Sequence, residues 1–362
     1  MSKYNINENI IFTVSKGRFV AWNLQTGHQY DFFDRRFLDR FYELTTSRLL
    51  PYHPAAEDDT LTEAGFLETS VNSSRPDGYT QSNWGWDDIA RIFHLGSKHN
   101  FPSDLSDQNE NPETGYVAFC ESIAERMPTI DTEREGKTFP LPPNSLSELS
   151  TSLVKTLKQR KTSRHFKNSK IDLEIVSNLL FATFGKIHGD SHQHDLAARG
   201  VKTVGYRRSS PSAGCLQATE AYLIALNVNS LERGIYHYRS HQHALTLVSE
   251  KIEHLNKALC HQAFASDASF LIVMTSRFDK LWWKYPHSRA YRSALLDVGH
   301  LSQTFNLVAT AYELNTWVTG YFIDDMLNDM VCIDGVKEHS IFVAAAGPGY
   351  SDPLSPGIQK LL

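Results

Sequence analysis

The chain has 362 residues, 41% hydrophobic and 21% charged, a balance that supports a packed core and excludes wholesale disorder or a fibrous repeat. A formal net charge of -5 exerts no global pull on a polyanion, so no nucleic-acid partner is expected. The longest strongly apolar stretch, Ala268 to Thr275, falls far short of the roughly 20 residues that cross a bilayer, and the start MSKYNINENI lacks an apolar signal core. No membrane segment is expected, and the cytoplasm is the expected compartment.

From the N-terminus, apolar runs between Ile10 and Tyr30 flank the turn signals Ser15-Lys16-Gly17 and Gln25-Thr26-Gly27, which predicts a small antiparallel meander. Asp34 then caps a helix with Phe37, Leu38, Phe41, Tyr42 and Leu44 on one face, and Leu61 to Leu67 closes the unit. The run Trp84 to Ser97 has helical spacing, with Asp87 and Asp88 placed where carboxylates favour the helix dipole. Asp104 to Gly115 reads as a polar loop. The three prolines of Glu133 to Asn144 disfavour helix and strand, and this segment marks the domain boundary, giving an extension over 1–135 and a catalytic domain over 136–362.

Helices are expected from Ser145 to about Arg160 and from Asp172 to about Thr183, followed by a Gly/His-rich loop to Tyr206. A hairpin is predicted at Gly234 to Glu250, a buried strand at 268–275, a long buried helix from Tyr291 to Leu314 and a last core strand at Ser340 to Ala346. Strands and helices intermix without regular βαβ spacing, which makes the fold class α+β. The four cysteines form no CxxC pair and read as buried small residues. Histidines cluster at His188, His192 and His194 and again at His237, His241 and His243, but no carboxylate or Cys completes either set, so no metal is expected.

Four segments carry the chemistry. Gln159 to Phe166 offers Arg160, Lys161 and Arg164 with the hydroxyls of Thr162 and Ser163, a donor set for a phosphate; the competing reading is a solvated basic turn. In Arg207 to Cys215, Pro211 fixes the backbone while Ser212, Ala213 and Gly214 permit main-chain N–H groups to approach a flat ligand; otherwise this is a cap leading into a helix over Leu216 to Leu223. Leu281 to Arg292 reads as an aromatic and basic loop in which Lys284 and Tyr285 are candidate proton-transfer groups, or else a packing corner with a snorkelling lysine. Along Gly299 to Gly320, small residues allow tight packing, and the amides of Gln303 and Asn306 could bond a ligand edge.

The runs QRKTSRHF (159–166), RRSSPSAG (207–214), GIYHY (234–238), WKYPHSRAYRSALLDVGH (283–300), VTGYFIDDMLNDMVCIDG (318–335) and AAAGPG (344–349) together resemble the azoline dehydrogenases of ribosomal peptide natural-product synthesis. These are the streptolysin-type and microcin-type members of the nitroreductase-like superfamily, and the similarity spans about residues 133–362. The resemblance implies a nitroreductase-like FMN-binding fold, a mixed sheet flanked by helices, and a smaller N-terminal extension; the strand-rich start, the helix and the LTEAGFL segment read as a winged-helix-like unit that recognises a leader peptide, or else as a structural extension covering the dimer.

It further implies an FMN cofactor, a homodimer, a modified precursor peptide as substrate, a cyclodehydratase partner, and oxidation of a thiazoline or oxazoline to the azole. By position, Arg160, Lys161, Thr162 and Arg164 would hold the FMN phosphate and ribityl chain. Pro211, Ser212 and Gly214 would approach the ring, Gln303, Asn306 and Gly320 would complete the cofactor site, and Lys284 with Tyr285 would be the catalytic pair.

Three departures limit the transfer. Leu216-Gln217-Ala218 replaces an aromatic-bearing segment, Asp297 stands where the family has Glu, and Ala346 to Gly349 lacks a basic residue, leaving the phosphate to the Arg160 cluster. Competing functions are an NAD(P)H-dependent nitroreductase-like reductase, a dehydroamino-acid oxidoreductase, and a non-catalytic subunit docked on a synthetase.

Overall fold

The computed structural model describes residues 4–24, 26–31, 34–46, 53–69, 84–98, 112–144, 146 and 149–362. They divide into two compact units, within residues 1–108 and 109–362. Part of the polar loop expected from Asp104, and several residues of the helix expected from Ser145, lie outside the described residues.

The first unit contains β1 (Tyr4–Ile6), β2 (Ile10–Ser15), β3 (Arg18–Asn23), β4 (Gln29–Asp31), α1 (Arg35–Thr46), α2 (Glu57–Glu63), β5 (Leu67–Thr69) and α3 (Asp88–Gly96). Strands β2, β3 and β4 form the meander, and Lys16 and Gly17 turn its first hairpin with positive φ of 51° and 74°, the backbone that matches the twist of paired strands. β1 pairs antiparallel with β5. Ala21, Phe41, Leu61, Phe66 and Leu67 make a small core. Beside it Arg40 forks onto both oxygens of Asp58 at 2.7 and 2.9 Å, joining α1 to α2 through a buried pair. The Asp87 side chain caps α3 by accepting from the Ala90 amide at 3.0 Å.

The second unit begins with α4 (Pro112–Ile123), β6 (Thr138–Pro140), α5 (Leu153–Gln159), α6 (Leu173–Phe184), β7 (His188–Gly189), α7 (Gln193–Ala198) and β8 (Tyr206–Arg207). It continues through β9 (Thr219–Ala225), β10 (Gly234–Arg239), β11 (Ala244–Ser249), α8 (Leu255–Ala258), β12 (Phe270–Arg277), α9 (Phe278–Lys284) and α10 (Ala290–Ala311). It ends with β13 (Asn315–Thr319), α11 (Asp324–Met330), β14 (Glu338–Gly347) and α12 (Pro356–Gln359).

Seven of these strands form one sheet in the order β13-β14-β12-β9-β10-β11-β6. Neighbours in it pair antiparallel, while parallel pairing occurs in the isolated bridges Thr162–Thr316 and Ile171–Val228. Alternate residues of the central strands face opposite layers. Leu223, Phe270, Ile272 and Met274 pack with α6 and α10 through Leu180, Phe184, Leu301 and Phe305. Tyr222, Ile224, Leu271 and Val273 pack with Leu255, Leu259, Trp317 and Leu327 on the other side. A sheet covered on both faces needs apolar residues in both phases, so β12 reads as the unbroken run FLIVM.

Several expectations are corrected. The segment after Leu216 enters a strand, β9, rather than a helix, because its apolar run is buried on both faces of the sheet. The helix expected from Ser145 starts at Leu153, where the Ser152 hydroxyl accepts from the Lys155 amide at 3.2 Å. The aromatic and basic segment after the buried strand is partly helical, as α9. Of the cysteines, Cys120 is buried, Cys215 and Cys260 are half-buried and Cys332 is exposed.

Candidate active site

The basic cluster leaves α5 at its C-cap, Arg160, and runs along the outer strand of the sheet. Thr162 bridges Thr316 of β13, the Ser163 amide donates to the Thr316 carbonyl at 2.7 Å, and the Arg164 amide donates to the Pro353 carbonyl at 2.7 Å. The Lys161 ammonium donates to the Ser351 carbonyl. Phe166 bridges Gly349, and the Lys167 amide donates to the Pro348 carbonyl at 2.9 Å, so QRKTSRHF and AAAGPG lie side by side. A Cβ on Gly349 would stand 2.0 Å from Asn315 Nδ2, which itself donates to the Ser163 hydroxyl at 3.0 Å, so this junction closes around a bare glycine. Gly320 follows directly on β13. Among the described residues, Arg160, Lys161 and Arg164 have no carboxylate within ion-pair distance. Three cations free of acidic partners fit a phosphate monoester.

A second group forms around Gly214. The Ser212 hydroxyl donates to Asp297 on α10 at 2.7 Å, and the Ala213 amide donates to both Asp297 oxygens at 3.1 Å. The Gln217 amide closes the loop onto the Ser212 hydroxyl at 3.0 Å. Gly214, Cys215 and Gln217 all have positive φ, of 57°, 57° and 49°. For the two non-glycine residues that is a strained backbone, held by its surroundings and typical of functional loops. A Cβ on Gly214 would lie 2.5 Å from the Tyr285 hydroxyl and 3.2 Å from Lys284 Cδ. The Lys284 ammonium reaches the Gly214 carbonyl loosely at 3.5 Å. Lys284 and Tyr285 therefore rest on the backbone of the SPSAG loop.

Burial pushes the Tyr285 hydroxyl above the ordinary tyrosine value, Lys284 pulls against that shift, and its hydrogen bond to Tyr116 adds to it. The Lys284 ammonium stands over the Tyr116 ring at 5.4 Å from the centroid, a cation–π distance. Trp283 donates from its indole to the Ile123 carbonyl at 2.9 Å, locking α9 to the end of α4. Of the remaining cofactor candidates, Pro211 is exposed beside this loop, and Gln303 and Asn306 lie on α10, Gln303 exposed and Asn306 buried.

Beneath α9 lies a buried charged network. Glu220 of β9 receives Lys280 at 3.3 Å, Thr132 at 2.7 Å and His237 at 3.2 Å. Burial alone would raise the Glu220 carboxyl, but Lys280 and His237 outweigh it and hold it below the usual carboxylate range. Lys280 also donates to the Ile130 carbonyl at 2.9 Å, and Arg277 to the Thr132 hydroxyl at 2.6 Å. Each histidine of the second cluster is engaged: His237 with Glu220, His241 with Asp131 at 2.7 Å, and His243 with Ser177 at 2.7 Å and Tyr238 at 2.9 Å. Among the described residues no group of three metal-binding side chains occurs.

Sequence reasoning missed Tyr116, Cys120, Asp297 as a loop anchor, and the Glu220–Lys280 pair. The apolar phase of VAFCESI could have flagged α4 as a packed helix; the others leave no trace in periodicity.

A model described as the nitroreductase family matches residues 157–350. A nitroreductase-named protein of Methanocaldococcus jannaschii is 27% identical over 197 residues, 54% of this chain and 90% of its own. A trifolitoxin operon protein of Rhizobium leguminosarum bv. trifolii is 22% identical over 301 residues, 80% of each chain. A nitroreductase-named crystal structure from Anabaena variabilis superposes with a TM-score of 0.53 at 20% identity, over 78% of this chain and 50% of that one. This chain thus spans half the length of that structure, and the likeness is one of fold.

Proposed function

The chain belongs to the nitroreductase family, a family of flavin-dependent oxidoreductases, and from that premise we propose that it dehydrogenates an azoline ring in a ribosomally made peptide to the azole. Its cofactor is FMN. Arg160, Lys161 and Arg164 would hold the phosphate, with Thr162 as a neutral donor, and the loop around Pro211 to Gly214 would approach the ring system. The observation that carries the reading is the seating of Lys284 and Tyr285 on Gly214, with space for no Cβ between them. The trifolitoxin operon relative supports a role in peptide modification.

Azoline oxidation removes one proton and one hydride. FMN, when bound, supplies the two-electron acceptor. The amine of Lys284 would be the base that takes the ring proton, a role that needs it within hydrogen-bond reach of that proton. Tyr285, kept protonated by burial, orients that amine and shares its proton. Asp297 holds the loop beneath both groups.

A homodimer accords with the exposed apolar face of α5, where Leu153 and Val154 are 64% and 63% exposed. The unit within residues 1–108 would offer β2 or β4, the outer strands of its three-stranded sheet among the described residues, to an extended leader peptide, a mode in which the peptide adds a strand. A cyclodehydratase acts on the peptide first, and the work is cytoplasmic.

The test uses purified protein and a cyclised precursor peptide. The protein is expected to be yellow, to release FMN on denaturation and to yield a product lighter by two hydrogens. Lys284→Ala is expected to keep the flavin and lose turnover. Rapid reduction by NAD(P)H with no dependence on Lys284 would replace this reading with a reductase, and a colourless protein that cannot be reconstituted would end it.

A further inference from the structure

A cavity of about 310 Å³ opens beside Lys284 and Gly214, walled by α4, α7, α9 and the loop after Gly214. It lies at the lower end of the roughly 300–1,000 Å³ of ligand pockets, with room for a large side chain. Resting on the peptide-dehydrogenase reading, we propose that this cavity receives an aromatic side chain of the substrate peptide, close in sequence to the reacting ring.

The lining sets the chemistry. Val117, Ile123, Met127, Leu196, Leu216 and Trp283 form an apolar wall, with Ile123 and Leu216 each only 4% exposed. The charged residues are Lys202, Lys284, and Arg207 with Asp190, which face each other at 3.7 Å. A cationic side chain would meet three cations whose only acidic neighbour in the lining is already taken. A carboxylate would be attracted by Lys202 and Lys284, against the loss of its hydration beside the apolar wall. An uncharged side chain avoids both costs. Three sulfurs, of Cys120, Cys215 and Met127, line the same space, and sulfur packs favourably against aromatic ring edges. The Lys284 and Lys202 ammonium groups would then lie near a ring face rather than an aliphatic chain.

The α4 wall contributes Tyr116, Val117, Cys120 and Ile123, all outside the span 157–350 matched by the family model. Trp283 fixes the wall to the helix that ends at Lys284, so a filled cavity and a seated base share one support.

Cysteine alkylation tests the cavity without turnover. With the FMN-loaded full chain and N-acetyl-phenylalaninamide as probe, Cys120 and Cys215 should be protected severalfold, read by mass spectrometry, while Cys260 and Cys332 react unchanged. Equal alkylation of all four with and without probe overturns the proposal. Protection by FMN alone, comparing loaded with flavin-stripped protein, gives the cavity to the flavin and also overturns it. Val117→Trp, which fills the space, should abolish probe protection. With peptides carrying Phe or Ala beside the azoline, the wild type should favour Phe by about tenfold or more in kcat/KM, and Val117→Trp should collapse that ratio. A ratio near one in the wild type counts against the proposal. Probe protection without turnover of either peptide keeps the cavity assignment and removes the dehydrogenase reading instead.

Discussion

Asp297 on α10 accepts the Ser212 hydroxyl at 2.7 Å and so ties the loop that carries Gly214 to the longest of the described helices. Burial pushes the Asp297 carboxyl above its ordinary value, and the hydrogen bonds from Ser212 and Ala213 pull it back without cancelling the effect. A carboxyl that binds its proton more tightly when folded contributes stability below its unfolded pKa, and that contribution is lost as pH rises through the folded pKa. Asp297→Asn has no proton to lose. The difference in Tm between wild type and variant should therefore move in the variant's favour as pH rises from about 3.5 to 6. A constant difference over that window would refute the assignment. Turnover should fall about tenfold to a hundredfold at neutral pH, because the amide puts an NH2 where Asp297 Oδ1 now accepts from the Ala213 amide, and two donors facing each other shift the loop beneath the base.

Gly214→Ala should destabilise the second unit and disturb the site. The left-handed backbone costs an L-residue about 1–2 kcal/mol, and the new methyl would also have to displace Tyr285 from a separation of 2.5 Å. Thermal unfolding should show the loss. Adding Tyr285→Phe removes the clashing hydroxyl, so the double variant should regain part of that stability while remaining impaired in turnover. A double variant no more stable than Gly214→Ala would mean that the hydroxyl is not the obstacle.

The sheet and its long helix were legible because their apolar residues repeat with the period of the element. The expected strand at 268–275 and helix from Tyr291 to Leu314 appear as β12 and α10 within a few residues. β9 was not legible, since a short apolar run buried on both faces carries no period and reads equally as helix or strand. The two residue groups of the site were visible as types, cations on one side and a Lys-Tyr pair on the other. Their supports were not: Asp297 stands 85 positions from Ser212, and Tyr116 about twice that from Tyr285, separations at which only the folded chain decides contact.

The cations of the outer strand should separate in their effects on FMN. Arg160→Ala and Arg164→Ala should each weaken flavin binding about tenfold to a hundredfold, the range for hydrogen bonds to a charged group. Lys161→Ala should do less, because its ammonium already spends a donor on the Ser351 carbonyl. Fluorescence titration of stripped protein with FMN measures this directly. Lys161 and Arg164 are exposed, so wild-type affinity should fall with added salt and the Arg164→Ala variant should fall less steeply. Identical salt slopes would place Arg164 away from the phosphate.

The Glu220–Lys280 pair supports the base from below. Lys280 sits one helical turn before Lys284 on α9, and its ammonium is held between Glu220 and the Ile130 carbonyl. Glu220→Gln leaves a buried ammonium without its counter-charge, which costs about 3–5 kcal/mol. The same pairing holds the Glu220 carboxyl down, so its stabilising contribution is present above the ordinary carboxylate pKa and is lost as pH falls through the depressed folded value. The wild type should therefore lose stability on acidification faster than Glu220→Gln does. Glu220→Leu combined with Lys280→Met removes both charges and should recover much of the Tm lost by Glu220→Gln, as apolar replacement of buried ion pairs often does. If the pair only holds the fold together, that double variant should also regain turnover. If it aims α9, stability should return while kcat stays low with KM little changed, and that split is the measurement to make.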